Sequence, residues 1–193
     1  MLDEKTRTDG RPAPADPAHA SAFAPSARIV AVQGASGDAI QALLTRLAAR
    51  WTADGLRVAG AIEASADGAR KGSGGTYLRN LGTGTAYAIY QDLGPHSTAC
   101  CLDGRGFAEA CQHVVDDMAA CDVVVLSKFG KLEAERGGLL SAFAAAALLD
   151  KPVITAVSPT FNAGYRAFVG HYGTVVPPDE EDLYAWGCGF RSR

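Results

Sequence analysis

No stretch of this sequence is long and apolar enough to cross a bilayer. The strongest apolar run, Ser141 to Leu149, covers about half of the roughly 20 residues that a membrane helix needs. Neither sign of charge dominates: 18 basic side chains face 21 acidic ones, for a net charge of −3. That balance offers no global attraction to DNA, RNA or anionic lipid, so neither nucleic acid nor membrane is an expected partner, and any anion site has to be local. Lys5, Arg7 and Arg11 precede no apolar segment, so no export signal is read and a cytoplasmic location is expected. The five cysteines are an odd number, expected as free thiols in a reducing compartment. No C-x-x-C pair occurs. Cys100 and Cys101 are adjacent, and Cys111 and His113 fall two apart on a helical segment and face different ways, so even with His96 nearby no metal site is expected. No G-x-S-x-G elbow follows a strand, and Cys121 and Cys188 carry no pattern of their own.

What is present divides the chain in two. Residues 1–27 place Pro12, Pro14, Pro17 and Pro25 among alanines, a composition that neither holds a helix nor buries much surface, and they read as a disordered tail. Residues 28–193 read as a single α/β domain. Arg28–Gln33 is a β-branched apolar run ended by Gly34, and Ser36 is placed to cap a helix whose Ile40, Leu43, Leu44, Leu47 and Trp51 recur at helical spacing. Asp54-Gly55 closes that helix, and Leu56–Ile62 reads as a second strand, completing a parallel βαβ unit. Ala66–Gly75 is a glycine-rich loop. Tyr77–Leu81 and Ala86–Leu93 flank Gly82-Thr83-Gly84 as a hairpin. Further on come a helix over Phe107–Ala120, with Asp103 and Arg105 placed to cap it, and a buried strand over Asp122–Leu126. Ser127–Gly138 reads as a polar loop, Leu139–Leu149 as a helix and Pro152–Val157 as a strand. Phe161–Val169, a short strand near Thr174–Val176 and a helix from Asp179 complete the order. This order predicts a three-layer α/β sandwich with a mostly parallel sheet and an inserted β-hairpin, whose ligands gather at the carboxyl ends of its strands.

Two loops at that edge carry the chemistry. The first, Gly34-Ala-Ser-Gly37-Asp38-Ala39-Ile40, stands where a P-loop cradles phosphate with backbone N–H groups and a helix N-terminus. It is shorter than G-x-x-x-x-G-K-[ST], it has no lysine, and Asp38 repels phosphate at close range. A plain turn with a capped helix explains it equally well. The second, Ser127-Lys-Phe-Gly130-Lys131-Leu-Glu133-Ala-Glu135-Arg136, holds two of the chain's five lysines. With Ser36 and Gly37 nearby, Lys128, Lys131 and Arg136 would form a compact positive pocket, although Glu133 and Glu135 could equally pair with them in a solvated charged loop.

The stretch LSKFGKLEAERGG, Cys101-Leu-Asp103 ahead of a helix, and Lys151-Pro152-Val153 before a helix with Tyr165, Arg166 and Phe168 resemble an uncharacterised bacterial domain-of-unknown-function family, whose genes often lie beside molybdate-uptake and molybdoenzyme genes. That family looks like a remote relative of thermophile-type P-loop nucleoside triphosphatases, whose motif is D-E-x-G-K-x-E. Gly130, Lys131 and Glu133 match its last part. Ser127 and Lys128 replace the two acids, the first of which orients magnesium in those enzymes.

The resemblance and the residues together suggest a binding protein for a small oxyanion or a nucleotide's phosphates on a degenerate P-loop scaffold, with little or no hydrolysis. Its anion-binding residues would be Gly34, Ser36, Gly37, Lys128, Lys131 and Arg136, with no bound metal or cofactor. The resemblance adds a possible link to molybdenum metabolism. Two alternatives stay open: a divergent Mg-dependent triphosphatase using Glu133 or Glu135, and an interaction module that meets a molybdenum-related protein partner through its hairpin and tail.

Overall fold

The computed structural model describes residues 27–65, 76–90 and 104–191. The expected tail, apart from Ala27, lies outside them, as do the loop Ala66–Gly75, the end of the hairpin after Tyr90 and Cys100–Asp103. Ala27 itself belongs to the domain: it is buried, and its carbonyl accepts from Trp186 Nε1 at 3.3 Å.

Seven strands form one sheet: β1 (Ile29–Val32), β2 (Val58–Ser65), β3 (Thr76–Asn80), β4 (Ala86–Ala88), β5 (Val123–Leu126), β6 (Val153–Ala156) and β7 (Gly173–Val176), in the order β4-β3-β2-β5-β6-β1-β7. The five strands from β2 to β7 in that order run parallel. β3 and β4 extend the β2 edge antiparallel. β1, β5 and β6 are buried along their whole length, which is why their sequences are continuous apolar runs rather than alternating ones.

Side chains still alternate between the faces. Ile29, Ala31, Val124 and Leu126 join a cluster with Phe107, Ala110, Val114 and Met118 of α2 (Gly104–Met118), Phe143 of α4 (Leu140–Leu148) and Tyr165 of α5 (Asn162–Val169). Val30, Val32, Val123 and Val125 join a second cluster, with Ile40, Leu44, Leu47 and Trp51 of α1 (Gly37–Ala53) and Leu183 of α6 (Glu180–Cys188). Helices therefore flank a largely parallel sheet, as a P-loop-like α/β fold requires.

Two segments differ from the sequence reading. β2 runs on to Ser65 because β3 pairs with its far end, from Glu63↔Leu78 to Ser65↔Thr76. Ser127–Gly138 is not simply a polar loop: it contains the one-turn helix α3 (Lys131–Ala134) and buries Phe129, Gly130 and Glu133. Both segments lie at the carboxyl edge of the sheet.

Candidate functional site

The first loop is a tight turn followed by a capped helix. Gly34 has φ +113°, a region that L side chains avoid. Ser36 then caps α1, its Oγ accepting from Ala39 N at 3.3 Å, and the helix begins at once, at Gly37. Residues 34–39 are exposed. Among the described residues no hydrogen-bond partner occupies the amides of Ser36 or Gly37, and both residues line the cavity below at the positive end of a 17-residue helix. Asp38, in the first turn, partly offsets that potential.

The second loop is anchored rather than solvated. Phe129 N donates to Ala156 O at 2.8 Å, and the Phe129 ring packs edge-on to Phe143 and Tyr165. The buried Glu133 carboxylate accepts from Gly130 N through Oε2 and from Leu139 N through Oε1, both at 2.9 Å. Gly138 makes room for it: with φ +59°, its missing Cβ would overlap Glu133 Oε1. Glu133 therefore staples the loop, with each of its oxygens engaged by a backbone amide.

Between the loops lies a network of four side chains. Gln41 Nε2 donates to Ser127 O at 2.6 Å, and Ser127 Oγ donates back to Gln41 Oε1 at 3.0 Å while accepting from Glu63 N at 3.2 Å. Lys128 Nζ lies 2.5 Å from Glu63 Oε2; the lysine side chain is 47% exposed and the glutamate side chain only 5%. Beyond them Gln33 Nε2 donates to Val157 O and to Asn162 Oδ1, each at 3.1 Å, which closes the floor at the end of β1.

One cavity of about 970 Å³ connects these parts. Its lining includes Gly34, Ser36, Gly37, Lys128 and Lys131, together with Gln33, Gln41 and Glu63. Five of the six anion-binding candidates are thus brought together. Arg136, in a left-handed turn with φ +66°, is exposed and lies outside the lining. The compact positive pocket is not what the side chains form: Lys128 is met by Glu63, and Lys131, 69% exposed, has Glu135 Oε1 at 3.9 Å.

The donor set does not fit magnesium. In P-loop enzymes the ion is held by the loop's Ser/Thr and by an acid at the end of a neighbouring strand. Counted from Gly34, the pattern's second glycine, lysine and hydroxyl would fall on Ala39, Ile40 and Gln41, and none of the three is the residue that the pattern requires. Gln41 and Ser127 bind each other, and the Lys128 ammonium adjoins them. No group of three or more His, Cys, Asp or Glu able to hold a metal occurs among the described residues. Of the other metal candidates, Cys111 is buried and His113 Nδ1 is 2.7 Å from the phenolic oxygen of Tyr87, while His96, Cys100 and Cys101 lie outside the described residues.

Gln41, Glu63 and Gln33 escaped the sequence reading. Counting along the P-loop pattern could have found Gln41. Nothing local marks Glu63, whose role comes from the β2–β5 pairing that sets Ala61 beside Leu126.

Comparison with known proteins agrees with this geometry in outline. The chain is 31% identical over 170 residues to the molybdenum import ATP-binding protein ModC 2 of Bradyrhizobium diazoefficiens; the match takes in 86% of this chain but 19% of that protein. The chain thus spans about a fifth of the length of that relative. No solved structure matches it. Residues 29–186 match the family model described as protein of unknown function (DUF2478), and the chain belongs to that family.

Proposed function

We propose that this protein binds an anionic ligand, a nucleotide's phosphate or a small oxyanion, on a degenerate P-loop scaffold and does not hydrolyse it. The observation that carries this reading is the convergence of the Gly34–Gly37 turn and the Lys128 loop on one cavity, with the amides of Ser36 and Gly37 unpartnered among the described residues. The reading takes residues 28–193 as one three-layer sandwich with an inserted hairpin. Lys128 is the main charge contact and Lys131 a peripheral one, since most of its side chain is in solvent. Arg136 has no part in it.

The absence of turnover follows from the same residues. Gln41 and Ser127 bind each other, Glu63 is paired with Lys128, the position where the pattern's lysine would be counted is the buried Ile40, and Glu133 is engaged by two amides. The relative's name places that protein in molybdenum import, and molybdate is accordingly one ligand to test. A molybdenum-related protein partner and a cytoplasmic location belong to the same reading. No described helix is long and apolar enough to cross a membrane, and Cys111, Cys121 and Cys188 are free thiols.

Calorimetric titration of the full chain with phosphate, molybdate and ATP tests the proposal, alongside a phosphate-release assay with Mg²⁺ and ATP. Saturable binding that Lys128→Met weakens and Lys131→Ala barely changes, without phosphate release, is expected. Turnover that disappears in Glu133→Gln would sink the non-hydrolytic reading.

A further inference from the structure

The cavity is much larger than a tetrahedral oxyanion, and its two ends differ. About 970 Å³ lies at the upper end of the range that takes drug-sized organic molecules. Its length follows from the sheet. The Gly34 turn ends β1, while Leu78 lines the cavity from β3, four strand positions away across β6, β5 and β2. At the usual strand spacing of ~4.8 Å those four steps cover ~19 Å.

Chemistry changes along that length. At the β1 end are the exposed turn and its amides. In the middle, over β5 and β2, come Ser127, Lys128 and the carboxylate of Glu63. At the far end Leu78, Tyr90, Phe107, Leu132 and Leu139 make an apolar wall with two aromatic rings. An inorganic anion would use only the first part.

We infer that the cavity takes a phosphorylated heteroaromatic compound built like a nucleoside monophosphate: phosphate at the Gly34–Gly37 turn, hydroxylated linker over Glu63, and ring against Tyr90 and Phe107. This inference rests on the anion-binding reading above and adds the ligand's body to it. Three features select that class. The aromatic walls suit a flat ring, which stacks well on tyrosine and phenylalanine. Glu63, held by Lys128 through Oε2, presents a carboxylate acceptor where hydroxyl groups would pass. The Glu63–Lys128 pair is neutral overall, so the middle of the cavity offers no net positive charge to a second and third phosphate, and one phosphate is favoured over a triphosphate chain. An acyl chain in place of the ring would have to pass these polar groups.

The test is calorimetry on the full chain with four nucleoside monophosphates, the matching triphosphates, ribose 5-phosphate and inorganic phosphate. At least one monophosphate is expected to bind about tenfold or more tighter than both ribose 5-phosphate and its own triphosphate. Phe107→Leu and Tyr90→Leu keep apolar bulk but remove a ring face. Each is expected to weaken that monophosphate about fivefold while leaving ribose 5-phosphate unchanged, and circular dichroism establishes that each variant is folded. Ribose 5-phosphate binding as tightly as every monophosphate, with both dependent on Lys128, would overturn the ring site and leave the anion site standing. A triphosphate binding tighter than its monophosphate would overturn the one-phosphate assignment. No binding by any of these phosphates would overturn this ligand class, and if molybdate also fails to bind, the anion-binding reading falls with it.

Discussion

Gln41 on α1 and Ser127 at the end of β5 exchange two hydrogen bonds, at 2.6 and 3.0 Å. Each satisfies the polar groups of the other. This neutral polar link ties the two halves of the cavity together.

Removing either partner leaves polar groups of the other without their bond in a half-buried setting. Gln41→Ala is expected to cost about 1–2 kcal/mol of stability and Ser127→Ala a similar amount. The double variant should cost less than the sum by about 0.5–1.5 kcal/mol, because the two act as one unit. Urea denaturation of the four proteins measures this, and strict additivity would show the link to be idle.

The Lys128–Glu63 pair makes an asymmetric prediction, because only the carboxylate is secluded. Lys128→Met leaves a buried charge without its partner and should destabilise by about 1–2 kcal/mol, less than for a fully buried pair because water reaches the lysine side. Glu63→Gln strands only an ammonium group that can hydrate, and should cost under about 1 kcal/mol. Combining the two should restore most of what Lys128→Met loses. Binding moves in opposite directions: Lys128→Met weakens an anion, while Glu63→Gln frees the lysine charge and tightens it about fivefold, from a Coulomb term of about 1 kcal/mol. Denaturation and calorimetry on the three variants check both halves. Weaker anion binding by Glu63→Gln would contradict the role given to Lys128.

The elements that were legible in the sequence are those set by local patterns. The Ser36 cap and the α1 stripe from Ile40 to Trp51 need only near neighbours, and the runs IVAV, VVVL and VITA announce strands buried on both faces. The two loops that line the cavity were legible, because glycine and lysine mark them. What could not be read was pairing between distant segments. Glu63 meets Lys128 only because β2 lies beside β5, and Glu133 looks like a free acid until the backbone of Leu139 folds back onto it. Charge counting along a loop therefore overstated its positive character.

Glu133 yields a prediction about the loop itself. Its two hydrogen bonds to backbone amides are charge-assisted and buried, so Glu133→Ala should cost about 2–4 kcal/mol. Gly138→Ala should be comparably harmful, since it strains a backbone at φ +59° and pushes a methyl group into the same carboxylate. Both variants should also raise hydrogen exchange at Gly130 and Leu139, the amides that Glu133 accepts from. Unchanged protection there, with unchanged stability, would remove the staple from the account.

Alkaline pH tests the core beneath the site. Tyr165 is fully buried, its hydroxyl shared between the carbonyls of Ile29 and Thr174 at 3.1 Å each, and burial pushes its ionisation well above the usual tyrosine range. The folded state thus keeps a proton that the unfolded chain releases near pH 10, so stability is full below that pH and falls as pH rises beyond it, by at most about 1.4 kcal/mol per pH unit for one group. Burial shifts the thiols of Cys111 and Cys121 upward as well, so their part of the loss starts earlier, from about pH 8.5. Tyr165→Phe should cost about 1 kcal/mol at pH 7 through the lost hydrogen bond, then shed the steepest part of the alkaline decline, and become the more stable protein near pH 11. Tyr184→Phe is the control. Its hydroxyl donates to Asp54, which raises its ionisation too, but the group is exposed, and its removal should leave most of the slope in place. Urea midpoints from pH 7 to pH 11 distinguish the two, and parallel curves for wild type and Tyr165→Phe would show that the buried phenol does not set the alkaline limit.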